Sequence, residues 1–154
     1  MWRNLNIVPI TKSVFVRYNF YMGTNDKTET FLEFFQSESV KNETLDERIF
    51  LDLYSEVGAN VLADIVISYS KTLDESLTAL RATLESADAE RSYRICHKLK
   101  GSSMLVGFSR LAQSCEQVCS DFKGQKDNNW SSSLKLIMDQ VATIKEAIIV
   151  AQNP

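Results

Sequence analysis

A single histidine, His97, stands in a stretch of helix-forming residues that contains no proline. Successive residues of a helix turn by about 100°, which places His97 opposite the apolar side of that helix. Imidazole at neutral pH is partly unprotonated and nucleophilic, and it can take up a phosphoryl group as a phosphoramidate. His97 is therefore predicted to be a solvent-facing nucleophile. The predicted inner side of the helix consists of Ser92, Ile95, Leu99, Ser102 and Val106.

The residues that share the face of His97 suit a transferable phosphoryl group. Lys100, one turn along, supplies a positive charge for a group that carries about two negative charges. Gly101 has no side chain to obstruct a docking protein. Tyr93 and Met104 add an apolar rim to the same face. These residue types at these spacings predict a phosphoryl carrier.

Two other chemistries fit the residues around His97 less well. A Ser-His-Asp triad needs an orienting carboxylate, but residues 91–110 contain five basic side chains and no acidic one, so this carboxylate would have to come from a distant part of the chain. A structural zinc site needs four ligands, and Cys96 points away from His97 on any helix. Cys115 and Cys119 lie one turn apart, which makes a metal conceivable, but Cys115 is better explained as a core residue. We therefore predict no metal site.

The charge of the chain is weakly acidic, with 17 Lys and Arg against 20 Asp and Glu. A net charge of −3 argues against general nucleic-acid binding. The basic cluster in residues 91–110 suits either a local anion or an ordinary solvated surface. No apolar run approaches the roughly 20 residues that span a bilayer. The three cysteines have no CxxC spacing, and the N-terminus has no secretory signal. We therefore predict reduced thiols in a cytoplasmic protein that does not associate with a membrane.

Apolar residues recur with helical spacing from residue 45 onward. A first stripe is expected to end at Gly58, a third helix to begin near Asp88, and a fourth to be N-capped by Ser109. Short connections between long helices favour antiparallel neighbours. The predicted fold is all-α, an up-and-down antiparallel four-helix bundle over residues 45–152 with an additional short N-terminal helix. The inward positions of the last two helices are predicted to be Leu111, Cys115, Val118, Phe122, Leu134, Ile137, Val141, Ile144 and Ile148.

Residues 1–44 form a predicted N-terminal extension of a different character. β-Branched and aromatic residues crowd positions 7–21, which suggests extended structure. Phe31, Leu32, Phe34 and Phe35 fit a short amphipathic helix. No turn signal pairs the strand-like stretch with a neighbour, and a lone strand is not stable. We expect a less regular arm, whose role the sequence leaves open.

The motif around His97 resembles that of a known family. The run His97-Lys98-Leu99-Lys100-Gly101-Ser102-Ser103, followed by Gly107 and by Leu111-Ala112, is similar to the signature of histidine-containing phosphotransfer (HPt) domains of multistep two-component phosphorelays. The likeness covers about residues 45–150 and is most specific over residues 91–112. One departure is visible, because many bacterial members carry a glutamate where this chain has Cys119.

The resemblance implies a role for each residue of the site. His97 would be the phosphoacceptor, reacting through Nε2, and Lys100 would stabilise the phosphoryl group. Gly101 would clear space for an incoming receiver domain. Ser102 and Ser103 are expected to pack against a neighbouring helix. The docking surface for the receiver would consist of Gly101, Met104, Tyr93, Arg94 and Lys98.

The resemblance also implies partners. The phospho-aspartate of one receiver domain would donate to His97, which would pass the group to the aspartate of another, in response regulators and hybrid histidine kinases. Magnesium and the acidic cluster belong to the receiver, so we expect a monomeric phosphocarrier, not an enzyme, with no cofactor of its own. Met1 and the N-terminal arm favour a free-standing shuttle over a piece of a hybrid kinase. The alternative function is a helical interaction module that regulates a signalling partner without carrying phosphate.

Overall fold

The computed structural model describes residues 45–124 and 130–152 of the chain. These residues form four helices and no strand: α1 (Glu47–Ser86), α2 (Ala89–Val106), α3 (Ser109–Lys123) and α4 (Trp130–Gln152). The N-terminal extension, with its predicted strand-like and short helical stretches, and the polar link 125–129 lie outside the described residues. The predicted domain boundary at residue 44 therefore stays a prediction.

The four helices enclose one apolar core. Packing contacts join α1 to α2, α2 to α3, α3 to α4 and α4 back to α1, and within the described ranges no Cα atoms of diagonally opposite helices lie within 8 Å of each other. Two-residue connections separate α1 from α2 and α2 from α3. Each helix therefore packs against two neighbours around a shared centre, and the prediction of an all-α helical bundle is confirmed.

Asp46 and Gly58 determine where α1 begins and where it bends. Asp46 is the N-cap, and its carboxylate accepts hydrogen bonds from the amides of Arg48 at 3.0 Å and Ile49 at 3.4 Å. Gly58 has a non-helical backbone (φ 77°, ψ 171°). The predicted break at Gly58 is therefore present: α1 consists of two helical segments that meet at a kink, and the segment before Gly58 is the predicted short N-terminal helix.

A left-handed residue separates α1 from α2. Ala87 has φ 54°, and its amide donates to the carbonyl oxygen of Thr83. Asp88 then caps α2, because its carboxylate accepts from the amide of Arg91 at 2.9 Å. The predicted start of the His97 helix near Asp88 is confirmed.

The buried faces agree with the apolar stripes, with three corrections. All five predicted inward residues of α4 are buried. Phe122, predicted to lie in the core, is 40 % exposed. Ser109 is the first residue of α3 instead of its cap, and Phe108 at the cap position makes no side-chain hydrogen bond. On α2 the inner face is rotated from the expected one, because Ile95 and Ser102 are only half-buried. Its buried residues are Ser92, Cys96, Leu99, Ser103 and Val106.

One buried polar contact ties α2 to α1. The hydroxyl groups of Tyr69 and Ser103 lie 2.8 Å apart and share a hydrogen bond in the core. The Tyr69 ring also stacks on Phe108, with ring centroids 5.3 Å apart and planes 10° apart. The prediction that Ser103 packs against a neighbouring helix is confirmed. Because a buried hydroxyl without a partner is costly, this bond favours one rotation of α2 about its axis.

The turn between α2 and α3 requires glycine. Gly107 has φ 98°, a backbone conformation that residues other than glycine rarely adopt. A Cβ atom at this position would lie 2.9 Å from the carbonyl oxygen of Asp46. In return, the carbonyl of Gly107 accepts a 2.7 Å hydrogen bond from the amide of Asp46. Gly107 thereby joins the end of α2 to the start of α1.

We expect Gly107→Ala to lower the free energy of unfolding by about 1–3 kcal/mol, because the new Cβ meets a backbone oxygen and the left-handed conformation is strained. Gly101→Ala is the matched control. A Cβ at Gly101 meets nothing within 4 Å in a regular helix, so stability should be unchanged or rise by up to about 1 kcal/mol. Urea denaturation of both variants measures the difference, and equal losses would contradict the assignment.

Candidate functional site

His97 projects from the outer side of α2. Its chain neighbour Cys96 and nearby Leu99 are fully buried, whereas the His97 side chain is exposed. The packed face of α2 therefore holds the imidazole outward on a rigid helix. A reactive group carried in this way needs little conformational ordering when another protein approaches.

An aromatic ladder, formed by the rings of His97, Tyr93 and Phe122, supports the imidazole. The Tyr93 and His97 centroids lie 5.9 Å apart with planes 21° apart, and Tyr93 and Phe122 lie 4.9 Å apart with planes 22° apart. The ammonium of Lys123 lies 5.8 Å from the Tyr93 ring centroid. Phe122 therefore leaves the core to extend a stack that begins at His97, and this stack favours one orientation of the imidazole.

Lys100 is paired with a side chain of the next helix. Its ammonium donates to the carboxylate of Glu116 on α3. The hydroxyl of Ser120 lies 3.5 Å from the other carboxylate oxygen of Glu116. The hydrogen bond between Lys100 and Glu116 is the main reason why the pKa of Lys100 is raised and the pKa of Glu116 is lowered. Both groups are therefore charged at neutral pH.

Glu116 is the residue of the site that the sequence argument did not find. It is 16 positions beyond Lys100 on another helix, outside the basic stretch 91–110 that surrounds His97 in the sequence. Helical spacing shows which residues share a face of one helix. It does not show which residues of two neighbouring helices lie next to each other. Its position on the exposed side of α3, one residue after the inward Cys115, is the available signal.

The other predicted docking residues lie around His97 with different surroundings. Gly101 is exposed, and Met104 retains 56 % of its accessible surface. Lys98 is exposed, and Arg94 forms an ion pair with Glu90 one turn earlier on α2. Tyr93 is half-buried within the aromatic ladder. The surface beside His97 therefore combines cations with an apolar edge.

The three cysteines are packing residues in the structure. Cys96, Cys115 and Cys119 are free thiols and all are buried. Burial raises the pKa of Cys119 to about 11, and a hydrogen bond with Cys96 together with burial raises that of Cys115. The Cys119 thiol lies 3.9 Å from the carbonyl oxygen of Tyr93. Protonated thiols are poor nucleophiles and poor metal ligands at neutral pH.

Two further features of the described residues concern metals and membranes. No group of three His, Cys, Asp or Glu side chains in residues 45–124 and 130–152 is placed to hold a metal ion. Over the same residues, no helix is both long enough and apolar enough to cross a bilayer.

Comparison with known proteins decides the family. The sequence model of the Hpt domain matches residues 64–148, more than half of the chain. The chain belongs to the Hpt domain family. Hpt domains are phosphocarriers, not kinases, and they interact with receiver domains in phosphorelays. Membership therefore gives this protein a histidine phosphotransfer role. The matched residues run from within α1 to within α4, so they include His97, Lys100 and Glu116.

A solved structure shows the same fold as this Hpt domain. The crystal structure of histidine-containing phosphotransfer protein B (HptB) from Pseudomonas aeruginosa aligns with a TM-score of 0.64 and 18 % sequence identity. The alignment covers 73 % of this chain and 98 % of HptB. At this identity the likeness concerns the helical bundle alone. A search of curated proteins gives no match.

We expect Tyr93→Ala to lower the free energy of unfolding by about 1–3 kcal/mol, because it removes two stacked ring pairs worth about 0.5–1.5 kcal/mol each. The variant should also average the His97 side chain over several rotamers. Urea denaturation and NMR of the imidazole measure the two effects. Tyr93→Phe keeps the ring and should match the wild type, so an equal loss in this variant would contradict a role for stacking.

Proposed function

We propose that His97 accepts a phosphoryl group from the phospho-aspartate of one receiver domain and passes it to the aspartate of another. The observation that carries this proposal is that a protein of a histidine phosphotransfer family contains one histidine, and that its side chain is exposed on a rigid helix. No other residue of the chain offers the imidazole that the transfer requires.

The proposed transfer is an exchange of one bond for another at phosphorus. An imidazole nitrogen of His97, which we assign to Nε2, attacks the phosphorus of the acyl phosphate. A P–N bond forms, the P–O bond to the aspartate breaks, and the carboxylate leaves with its electron pair. The second receiver reverses these events, with its own carboxylate as the nucleophile. In-line positioning of the two proteins supplies much of the rate.

Lys100 and Gly101 have separate parts in the proposed transfer. Lys100, one turn from His97, would neutralise the phosphoryl oxygens with its ammonium. Gly101 would admit the receiver, since a Cβ at this position meets nothing within the protein itself. A requirement for glycine at this position would therefore originate in the complex and not in the fold.

The proposed docking surface uses Tyr93, Arg94, Lys98 and Met104 around Gly101. Its apolar edge would pack against the receiver, and its exposed cations would steer an acidic partner. In this scheme Mg²⁺ is held by the receiver, and the HPt protein contributes no cofactor. We further propose that the protein acts as a cytoplasmic monomer, which presents this one surface to its donor and acceptor in turn.

Replacement of the histidine tests the proposal directly. Wild type and His97→Gln are incubated with a phosphorylated receiver domain and Mg²⁺. We expect the wild type alone to acquire label that is acid-labile and base-stable, as a phosphoramidate is. Circular dichroism should show an unchanged fold, because residue 97 is exposed. Equal labelling of both proteins would contradict His97 as the phosphoacceptor, and labelling of neither across the receivers tested would favour the interaction module without phosphate.

We expect Lys100→Ala to reduce the transfer rate at saturating receiver by about 10- to 100-fold, the effect of losing a charge-assisted hydrogen bond of about 1.5–3 kcal/mol. Rapid-quench kinetics at several receiver concentrations separate this rate from docking. Lys98→Ala is the control, and it should raise the half-saturating receiver concentration with little change in the saturated rate. A normal saturated rate for Lys100→Ala would remove its proposed role.

A further inference from the structure

The ion pair between Lys100 and Glu116 connects the reaction site with α3. Lys100 lies one turn of helix beyond His97, yet its ammonium is already bound to a carboxylate. Its side chain is only 26 % exposed, while that of Glu116 is 53 % exposed. The stem of Lys100 therefore lies along the protein surface, and its charged end is directed toward α3 instead of into solvent.

We propose that Glu116 is a positioning residue that competes with the phosphoryl group for Lys100, and that this competition sets the phosphotransfer equilibrium of His97. This inference rests on the proposed function, since it assumes that His97 carries the phosphoryl group. Glu116 itself touches neither the phosphoryl group nor the receiver in the proposal. It acts through the ammonium of Lys100.

Charge balance supports the competition. Before transfer, Lys100 and Glu116 form a neutral pair. A phosphoryl group on His97 adds about two negative charges one turn of helix away. If Lys100 turns to the phosphoryl oxygens, Glu116 loses its partner. If Lys100 contacts both groups, its one positive charge is divided between two anions, and it binds the phosphoryl group less strongly. Both arrangements make the phosphorylated form less favourable than it would be without the Glu116 charge.

The surroundings of Glu116 allow the exchange. Ser120 lies one turn along α3 and its hydroxyl is 3.5 Å from Glu116, so the carboxylate keeps a polar neighbour when Lys100 leaves. The carboxylate is also half exposed to water, which limits the cost of losing its partner. A lysine side chain has rotatable bonds along its whole stem, so the ammonium can turn from α3 toward His97 without movement of either helix.

The test measures how the phosphoryl group is shared between His97 and a receiver aspartate at equilibrium, at fixed Mg²⁺. Glu116→Gln removes the charge and keeps the shape. It should shift the equilibrium toward phospho-His97 by about two- to fivefold, the range expected for a partly exposed ion pair. Asp74→Asn is the matched control, because Asp74 on α1 forms an ion pair with Lys145 on α4, its side chain is 55 % exposed, and neither residue belongs to the His97 surface. Its equilibrium should equal that of the wild type.

A double variant identifies Lys100 as the intermediary. Glu116→Gln should cause no further shift when Lys100→Ala is already present, because the two residues act through one ammonium. The inference is overturned by an unchanged equilibrium, by a shift toward the receiver, or by an equal shift of Glu116→Gln in the Lys100→Ala background. Thermal unfolding of each variant checks that all retain the fold.

A second measurement needs no receiver. The Lys100 ammonium is titrated by NMR in the wild type and in Glu116→Gln, before and after chemical phosphorylation of His97 with phosphoramidate. The substitution should lower the pKa of Lys100 in the unphosphorylated protein, since Glu116 is the main cause of its elevation, ahead of the lesser effects of Cys119 and Tyr93. After phosphorylation this difference should shrink, because the phosphoryl group has become the partner of Lys100.

The two measurements separate the two ideas. If no receiver phosphorylates His97, the proposed function fails while the titration still tests the competition. If receivers do phosphorylate His97 but the pKa difference keeps the same size in both forms, Lys100 remains bound to Glu116 and the competition is overturned.

Discussion

The rotation of α2 about its own axis is the constraint on which the site depends. Cys96, Leu99 and Ser103 are completely buried, and the hydroxyl of Ser103 is bonded to Tyr69 of α1. A rotation that exposed this face would open the core and leave both hydroxyl groups without a partner. The same rotation that satisfies these groups directs His97 to solvent. The exposure of the reactive surface is therefore a result of core packing.

The second structural requirement is that α3 lies beside α2. Glu116 and Phe122 both come from α3, and each contacts a residue of the His97 face, namely Lys100 and Tyr93. The two-residue turn at Gly107 sets where α3 begins, and it also contacts Asp46 at the start of α1. Three helices thus meet at one turn, and a change in its geometry would alter the register of the partners on α3.

Much of this arrangement could be predicted from the sequence. The helical spacing of apolar residues predicts the helices, the start at Asp88 and all five inward residues of α4. It does so because the buried face of a helix is occupied mainly by apolar residues. The exposed position of His97 followed from the same period. The extension before residue 45 stays untested.

Each departure from the predictions has its own physical cause. The apolar pattern predicts a core position for Phe122, yet a large ring at the edge of a helix can pack by stacking on another ring instead. Ser109 was expected to cap α3, but the turn places Phe108 in that position, where its ring stacks on Tyr69. Glu116 was missed because contacts between two helices depend on their relative register. A periodic pattern within one helix carries no information about that register.

The buried thiols make local opening of the bundle measurable. Cys96 lies on α2, Cys115 and Cys119 lie on α3, and all three are buried. A thiol reagent can therefore modify them only during transient opening of the bundle. The rate of modification at each sulfur measures how often that part of the core opens, in the natural sequence and without an introduced label. Thiol modification can thus measure how often the core beneath His97 opens.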